Sequence, residues 1–179
     1  MFAKVLDYPT AETSSQVQDL ASEIPAECPE AAELIDGFCS ASAAMTAGAL
    51  QELYTSTFDM RPDCTTNLGY HLFGDDVRRN IFMAQLKERM ETRHVQLGNE
   101  LPDHLSLVLQ LLAAQDSTGE AHALIADCLI PSITRMLSTF DSSGSNNPYA
   151  QVLRALLMLL KKDAEAEIAT IGAAQHSAS

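Results

Sequence analysis

Four short polar clusters carry the residue types that chemistry needs. They are Tyr54 with Phe58 and Asp59, the run Tyr70-His71-Leu72-Phe73-Gly74-Asp75, the pair Arg78-Arg79 just after Asp75-Asp76, and the run Glu100-Leu101-Pro102-Asp103-His104. A histidine beside a carboxylate is raw material for proton transfer, and two histidines with an acid can hold a metal. No spacing here fixes His71 and His104 into such a set. There is no Gly-rich phosphate loop, no Gly-x-Ser-x-Gly and no His-Glu-x-x-His. The adjacent acids Asp75 and Asp76 are what a helix start favours through capping and the helix dipole. The four cysteines, Cys28, Cys39, Cys64 and Cys128, form no Cys-x-x-Cys pair and read as reduced, small buried hydrophobes. The sequence therefore implies no catalytic constellation, no metal and no cofactor. It suggests a protein that binds something.

The elements that would position these clusters are helices. Ala, Leu, Met, Glu and Gln dominate, Trp is absent, and aromatics are 6% of the chain. Segments of alternating β-branched residues are nearly missing, so the expectation is an all-α, single-domain helical bundle over residues 1–179. A short first helix stops at Tyr8-Pro9. Thr10 is placed to cap a helix through Ile24. Further helices follow from Glu30, from Ala47 to Phe58, and from Thr65 to Phe73, the last ended by Gly74. Asp75 is expected to cap a long helix over residues 76–97 whose buried face holds Val77, Ile81, Phe82, Leu86 and Met90. Gly98 closes it. Asp103 is expected to cap the next helix, where Leu105, Val108, Leu109 and Leu112 repeat at helical spacing. Ser117 to Phe140 makes one or two helices with a kink or break at Pro131. Asp141 to Pro148 is a flexible loop, Tyr149 to Ile171 the last helix, and the tail after Gly172 is frayed.

Charge narrows the partners. The net charge is −13, and residues 1–60 hold one lysine against ten acids. Such a field repels nucleic acid and anionic lipid and favours cationic partners. The longest apolar run, from Val152 to Leu160, is interrupted by Arg154, so no bilayer insertion is expected and the cytoplasm is the expected compartment.

Taken in order and spacing, the clusters resemble the respiratory nitrate reductase delta subunit family. The resemblance rests on Leu53-Tyr54, Phe58-Asp59, Tyr70-His71-Leu72-Phe73-Gly74-Asp75, Arg78-Arg79 and Glu100-Leu101-Pro102-Asp103-His104-Leu105, with Tyr8-Pro9 at the end of the first helix. It is strong over residues 50–113 and fades after 115. It implies an all-helical fold of the TorD/NarJ-like type and a role as an assembly chaperone, not an enzyme, within the group that serves twin-arginine-exported molybdoenzymes. The partner it implies is the N-terminal segment of a molybdoenzyme catalytic subunit, held until molybdenum cofactor and iron–sulfur clusters are inserted. The Glu-x-Pro-Asp-His segment would border the peptide groove.

On that basis the expected peptide-binding residues are Tyr54, Phe58, Asp59, Tyr70, His71, Phe73, Asp75, Pro102, Asp103 and His104. The aromatics would anchor an amphipathic guest, and the acids would pair with its Arg or Lys. The chain would act as a monomer or weak homodimer. Two alternatives stay open. The client could be a related enzyme acting on selenate, a chlorine oxyanion or a hydrocarbon. Or the chain could bind nucleotide, with Arg78 and Arg79 as the available phosphate ligands.

Overall fold

A computed structural model describes residues 1–144 and 146–177, with side chains through residue 166. Its elements are α1 (Phe2–Val5), α2 (Thr13–Glu23), α3 (Pro29–Ala43), α4 (Ala47–Tyr54), α5 (Leu68–Phe73), α6 (Val77–Thr92), α7 (Leu105–Ala113), α8 (Thr118–Ala123), α9 (Ile130–Ser143) and α10 (Pro148–Ser177). Two wide π turns extend helices: Thr55–Asp59 continues α4, and Leu124–Leu129 joins α8 to α9. A 3₁₀ turn spans Pro62–Cys64. Among the described residues there is no strand, only an isolated antiparallel bridge between Asn67 and His104. The all-α expectation holds.

The last helix organises the bundle. α10 packs along α3 and against α9, α2 covers α3, α5 lies on α9, and α1 lies on α7. Gly37 in α3 has a packing reason, because a Cβ there would collide with the Gln151 side chain of α10. Phe38, Tyr54, Phe58 and Tyr149 fill the centre as an aromatic group. The Tyr54–Phe58, Phe58–Tyr149 and Phe38–Tyr149 ring centroids are 5.0, 5.1 and 5.1 Å apart. The Tyr54–Phe58 and Phe58–Tyr149 pairs meet edge to face, a contact that adds attraction beyond the area it buries.

Several local expectations shift. Thr10 opens a turn ahead of α2: its hydroxyl accepts from Glu12 N–H, while Thr13 Oγ1 accepts from Thr10 N–H. Asp76, not Asp75, caps α6 by accepting from Arg78 N–H at 2.8 Å. Val77 and Ile81 are 68% and 56% exposed, so the inner face of α6 begins at Phe82 and runs through Leu86 and Met90. That helix ends at Thr92 instead of Leu97. His94 takes φ 57°, and the Val95 N–H to Met90 carbonyl and His94 N–H to Glu91 carbonyl bonds close it as a Schellman turn. Pro131 breaks nothing. The π turn just before it absorbs the missing N–H, and the helix is continuous from 118 to 143.

The loop expected over Asp141 to Pro148 is shorter, since α9 runs to Ser143. Ser142 and Ser143 hydroxyls donate back to carbonyls three residues earlier, Asp141 pairs with Arg154, and Gly144 ends the helix in the left-handed conformation. The backbone of α10 is helical to Ser177, past Gly172 where the tail is expected to fray; the rest of that tail, residues 178–179, lies outside the described residues. By length and composition Thr118–Ser143 is apolar enough to cross a membrane, but half of its most apolar window is buried within the fold, as a core helix would be.

Candidate functional site

Sequence-distant segments meet at one end of the bundle around a polar cavity of about 320 Å³. Asp7 and Tyr8 come from the end of α1. Tyr54, Phe58 and Asp59 come from α4 and its π turn. Thr65, Thr66 and Asn67 form one wall, and Glu100 and His104 the other. The π turn explains how Tyr54, Phe58 and Asp59 share this region. Wide turns rotate following residues off the α-helical register, and they are frequent at functional sites. Tyr8 stacks edge-on to Tyr54 at 5.6 Å. Tyr54 is 3% exposed, and its hydroxyl donates to the Leu6 carbonyl at 3.3 Å. Burial first, then the Asp7 and Asp59 carboxylates, push its phenol well above the usual range. Among the described residues no lysine or arginine lines this cavity, which leaves three carboxylates, Asp7, Asp59 and Glu100, in its lining without a cationic side chain beside them.

His104 has a defined orientation. It caps α7, with Nδ1 accepting from Ser106 N–H at 3.3 Å and lying 2.8 Å from Ser106 Oγ. That leaves Nε2 to carry the proton on the cavity side, 3.9 Å from Glu100 Oε2. Burial pushes the imidazole below its ordinary value, against the pull of Glu100 and the neighbouring aspartates. It is a neutral N–H donor at neutral pH.

The residues behind the cavity hold its walls together. Leu68 N–H donates to the Asp103 carbonyl, and Leu105 N–H donates to the Thr66 carbonyl, both at 2.8 Å. His71 Nε2 lies 2.7 Å from the Thr65 carbonyl, which fixes it as a donor; its burial lowers its proton affinity. Asp103 is fully buried, and its Oδ2 accepts from Arg79 Nε at 2.9 Å. A Cβ on Gly69 would sit 2.7 Å from that same oxygen. Gly69 is therefore glycine because the Asp103 carboxylate presses against α5.

A family profile described as the nitrate reductase delta subunit matches residues 19–140. The chain belongs to that family. A curated relative, the probable nitrate reductase molybdenum cofactor assembly chaperone NarJ of Bacillus subtilis (strain 168), is 28% identical over 161 residues, which covers 88% of this chain and 84% of the relative. The delta-family match begins after Asp7 and Tyr8, although both line the cavity.

This delta-family chain divides the residues singled out by sequence into two groups. Tyr54, Phe58, Asp59 and His104 line the cavity. Tyr70 lines a smaller neighbouring hollow of about 160 Å³ with Asp59, Asn67 and Arg79. The others line neither. His71 and Asp103 are buried supports, so the expectation that Asp103 meets a guest cation gives way to its pairing with Arg79. Nor does Asp103 cap α7, because its carboxylate points back toward α5 and α6 and leaves the N-cap to His104. Phe73 packs on Phe82, with Arg78 over its ring. Asp75 is exposed at the α5–α6 corner, and Pro102 is half-buried in the connector. Sequence reading missed Asp7, Tyr8, Thr65, Thr66 and Asn67 as cavity walls, and periodicity signals none of them. Glu100 stood in the segment expected to border the groove, though not among the residues expected to bind.

A second hollow of about 520 Å³ lies between α1, α7 and α10. Phe2, Leu109, Leu112, Leu156, Leu159 and Leu160 make it apolar, with Lys4, Asp7 and Asp163 at its rim. Asp7 lines both hollows.

Proposed function

We propose that this chain is an assembly chaperone for a nitrate reductase, acting in the cytoplasm. It binds the N-terminal segment of the catalytic subunit and holds it while molybdenum cofactor and iron–sulfur clusters are inserted. Family membership and the relative's name support the role. The observation that carries the binding site is the acid-lined cavity joined through Asp7 to an apolar groove. An amphipathic segment that places a cation near Asp7, Asp59 and Glu100 can lay its apolar face along α1, α7 and α10. Apolar burial there contributes roughly 25 cal/mol per Å², less the cost of ordering the segment. Nothing is turned over, and release is part of the task.

Nucleotide binding has little support. Arg78 is tied to Asp76 and Arg79 to Asp103, and the cavity beside them is acidic. The test is calorimetric titration with a peptide from the start of the catalytic subunit. Saturable binding that weakens in Glu100→Gln and in Leu112→Gln supports the reading. An unaltered affinity in both variants rejects this site, and no binding to folded protein rejects the role.

A further inference from the structure

Away from the cavity, a thiol and an amine lie at the seam between the start of α3 and α10. Lys162 Nζ donates to Cys28 Sγ at 3.2 Å, and it lies 3.5 Å from the Glu27 carbonyl, which holds it in place. Cys28 is 8% exposed. Its amine neighbour Lys162 is exposed, so the pair lies at the surface end of the seam. Cys39, Cys64 and Cys128 are also free, but among the described residues Cys28 is the cysteine with a lysine amine at bonding range.

We propose that Cys28 and Lys162 form a covalent sulfenamide when the protein meets hydrogen peroxide, joining α3 to α10. In the first step the Cys28 sulfur attacks one peroxide oxygen. An S–O bond forms, the O–O bond breaks, and one water leaves; sulfur loses two electrons and peroxide gains them. In the second step the Lys162 ammonium has given its proton to solvent, and Nζ attacks the sulfenic sulfur. The N–S bond forms, the S–O bond breaks, and the hydroxyl leaves with one of the two amine protons as a second water, the other proton staying on nitrogen. One peroxide is consumed and no other reactant is needed. Sulfenic acids condense with nearby nitrogen in this way. The 3.2 Å separation already places the two atoms at near-attack distance.

The experiment treats the full chain with hydrogen peroxide, with and without dimedone as a sulfenic-acid trap, and reads intact mass and peptide map. The wild type is expected to lose about 2 Da, two hydrogens, on linkage. The map should join the peptides of Cys28 and Lys162, and dithiothreitol should separate them. Lys162→Arg keeps the cation beside sulfur but offers no amine to condense. Its Cys28 should take up dimedone about tenfold more than the wild type, because a positioned amine outcompetes a dilute trap. Cys28→Ser should give no linkage. Equal dimedone labelling in wild type and Lys162→Arg overturns the proposal. So does a link mapped to Lys161, or a Cys28 that ends as sulfinic acid in the wild type.

Discussion

Replacing Arg79 with methionine should destabilise the protein by about 3 kcal/mol, because it strands a buried charge. The Asp103 carboxylate has no exposed surface; Oδ2 is held by Arg79 Nε at 2.9 Å, and Oδ1 has no hydrogen-bond partner. At an effective dielectric near 20, unit charges about 4 Å apart attract by about 4 kcal/mol. Removing one member of a buried pair costs about 3–5 kcal/mol. The Arg79 side chain keeps 19% exposure, so its own desolvation is incomplete and the lower figure applies. In a chain of this length each kcal/mol moves Tm by about 2–4 °C, which gives a drop of roughly 6–12 °C. Thermal and urea melts followed by far-UV circular dichroism read it directly. The double variant Arg79→Met with Asp103→Leu separates charge from packing. It should recover much of the loss, because a well-packed apolar pair is often as stable as the ion pair it replaces. A single-variant drop under about 2 °C would refute the reasoning. A double variant as unstable as the single would shift the cause to lost packing of the arginine stem, whose Cγ lies 3.1 Å from where a Gly69 Cβ would sit.

Other outcomes follow from the same geometry. Gly69→Ala should lower stability in urea melts, although alanine is the better helix former by about 1 kcal/mol, because its methyl meets Asp103 Oδ2 at 2.7 Å; a gain in stability would show that the carboxylate can move aside. Burial holds both His71 and His104 below the ordinary histidine value of about 6.5. Below pH 6.5 the unfolded chain therefore takes up protons first, and the stability present above that pH is lost as pH falls through the lower folded values, with a slope of up to about 1.4 kcal/mol per pH unit for each histidine. Urea midpoints at pH 7.5 and 5.5 should diverge less in His71→Gln/His104→Gln, and an unchanged difference would assign the acid sensitivity to carboxylates. For the client peptide, Asp59→Asn should weaken binding more at low than at high salt, whereas Asp75→Asn, on the exposed corner, should leave calorimetric affinity as it was; the reverse pattern would move the site to the α5–α6 corner.

The helices were readable because apolar spacing is set locally. Leu105, Val108 and Leu109 in α7, and Leu86 and Met90 in α6, are buried as their periodicity requires. Ends were less readable, because neighbouring side chains compete for the same N–H groups. Asp75 and Asp76 are equally good caps in sequence, and the backbone gives the bond to Asp76. At the next helix Asp103 loses the cap to His104 because Arg79, 24 residues earlier, takes its carboxylate. Val77 and Ile81 fit a helical stripe, yet the bundle supplies no neighbour to cover them. The cavity was half-legible for the same reason. Tyr54, Asp59 and His104 stand in the motifs, but Asp7 and Tyr8 reach it only through the fold, tied by Tyr54 Oη to the Leu6 carbonyl across 48 residues.

The motifs contain more than a binding surface needs, and the surplus has a structural use. His71, Gly69 and Asp103 do not line the cavity, yet each acts on the Thr65–Asn67 strip that does or on Leu68 and α5 directly behind it. His71 holds the Thr65 carbonyl, the Asp103 carbonyl takes Leu68 N–H, and Gly69 lets the Asp103 side chain lie close enough to pair with Arg79. Leu105 N–H fastens Thr66 from the opposite wall. A cavity whose walls are held before the guest arrives spends less free energy on ordering itself. The two groups of residues should then separate experimentally. The exposed lining acids Asp59 and Glu100 should alter affinity without altering stability, and holding residues should alter both together. Arg79 lines the smaller hollow and not the cavity itself, so affinity that Arg79→Met loses beyond the loss in Tyr70→Phe, in protein that is still folded, measures how far the cavity walls depend on that buried pair.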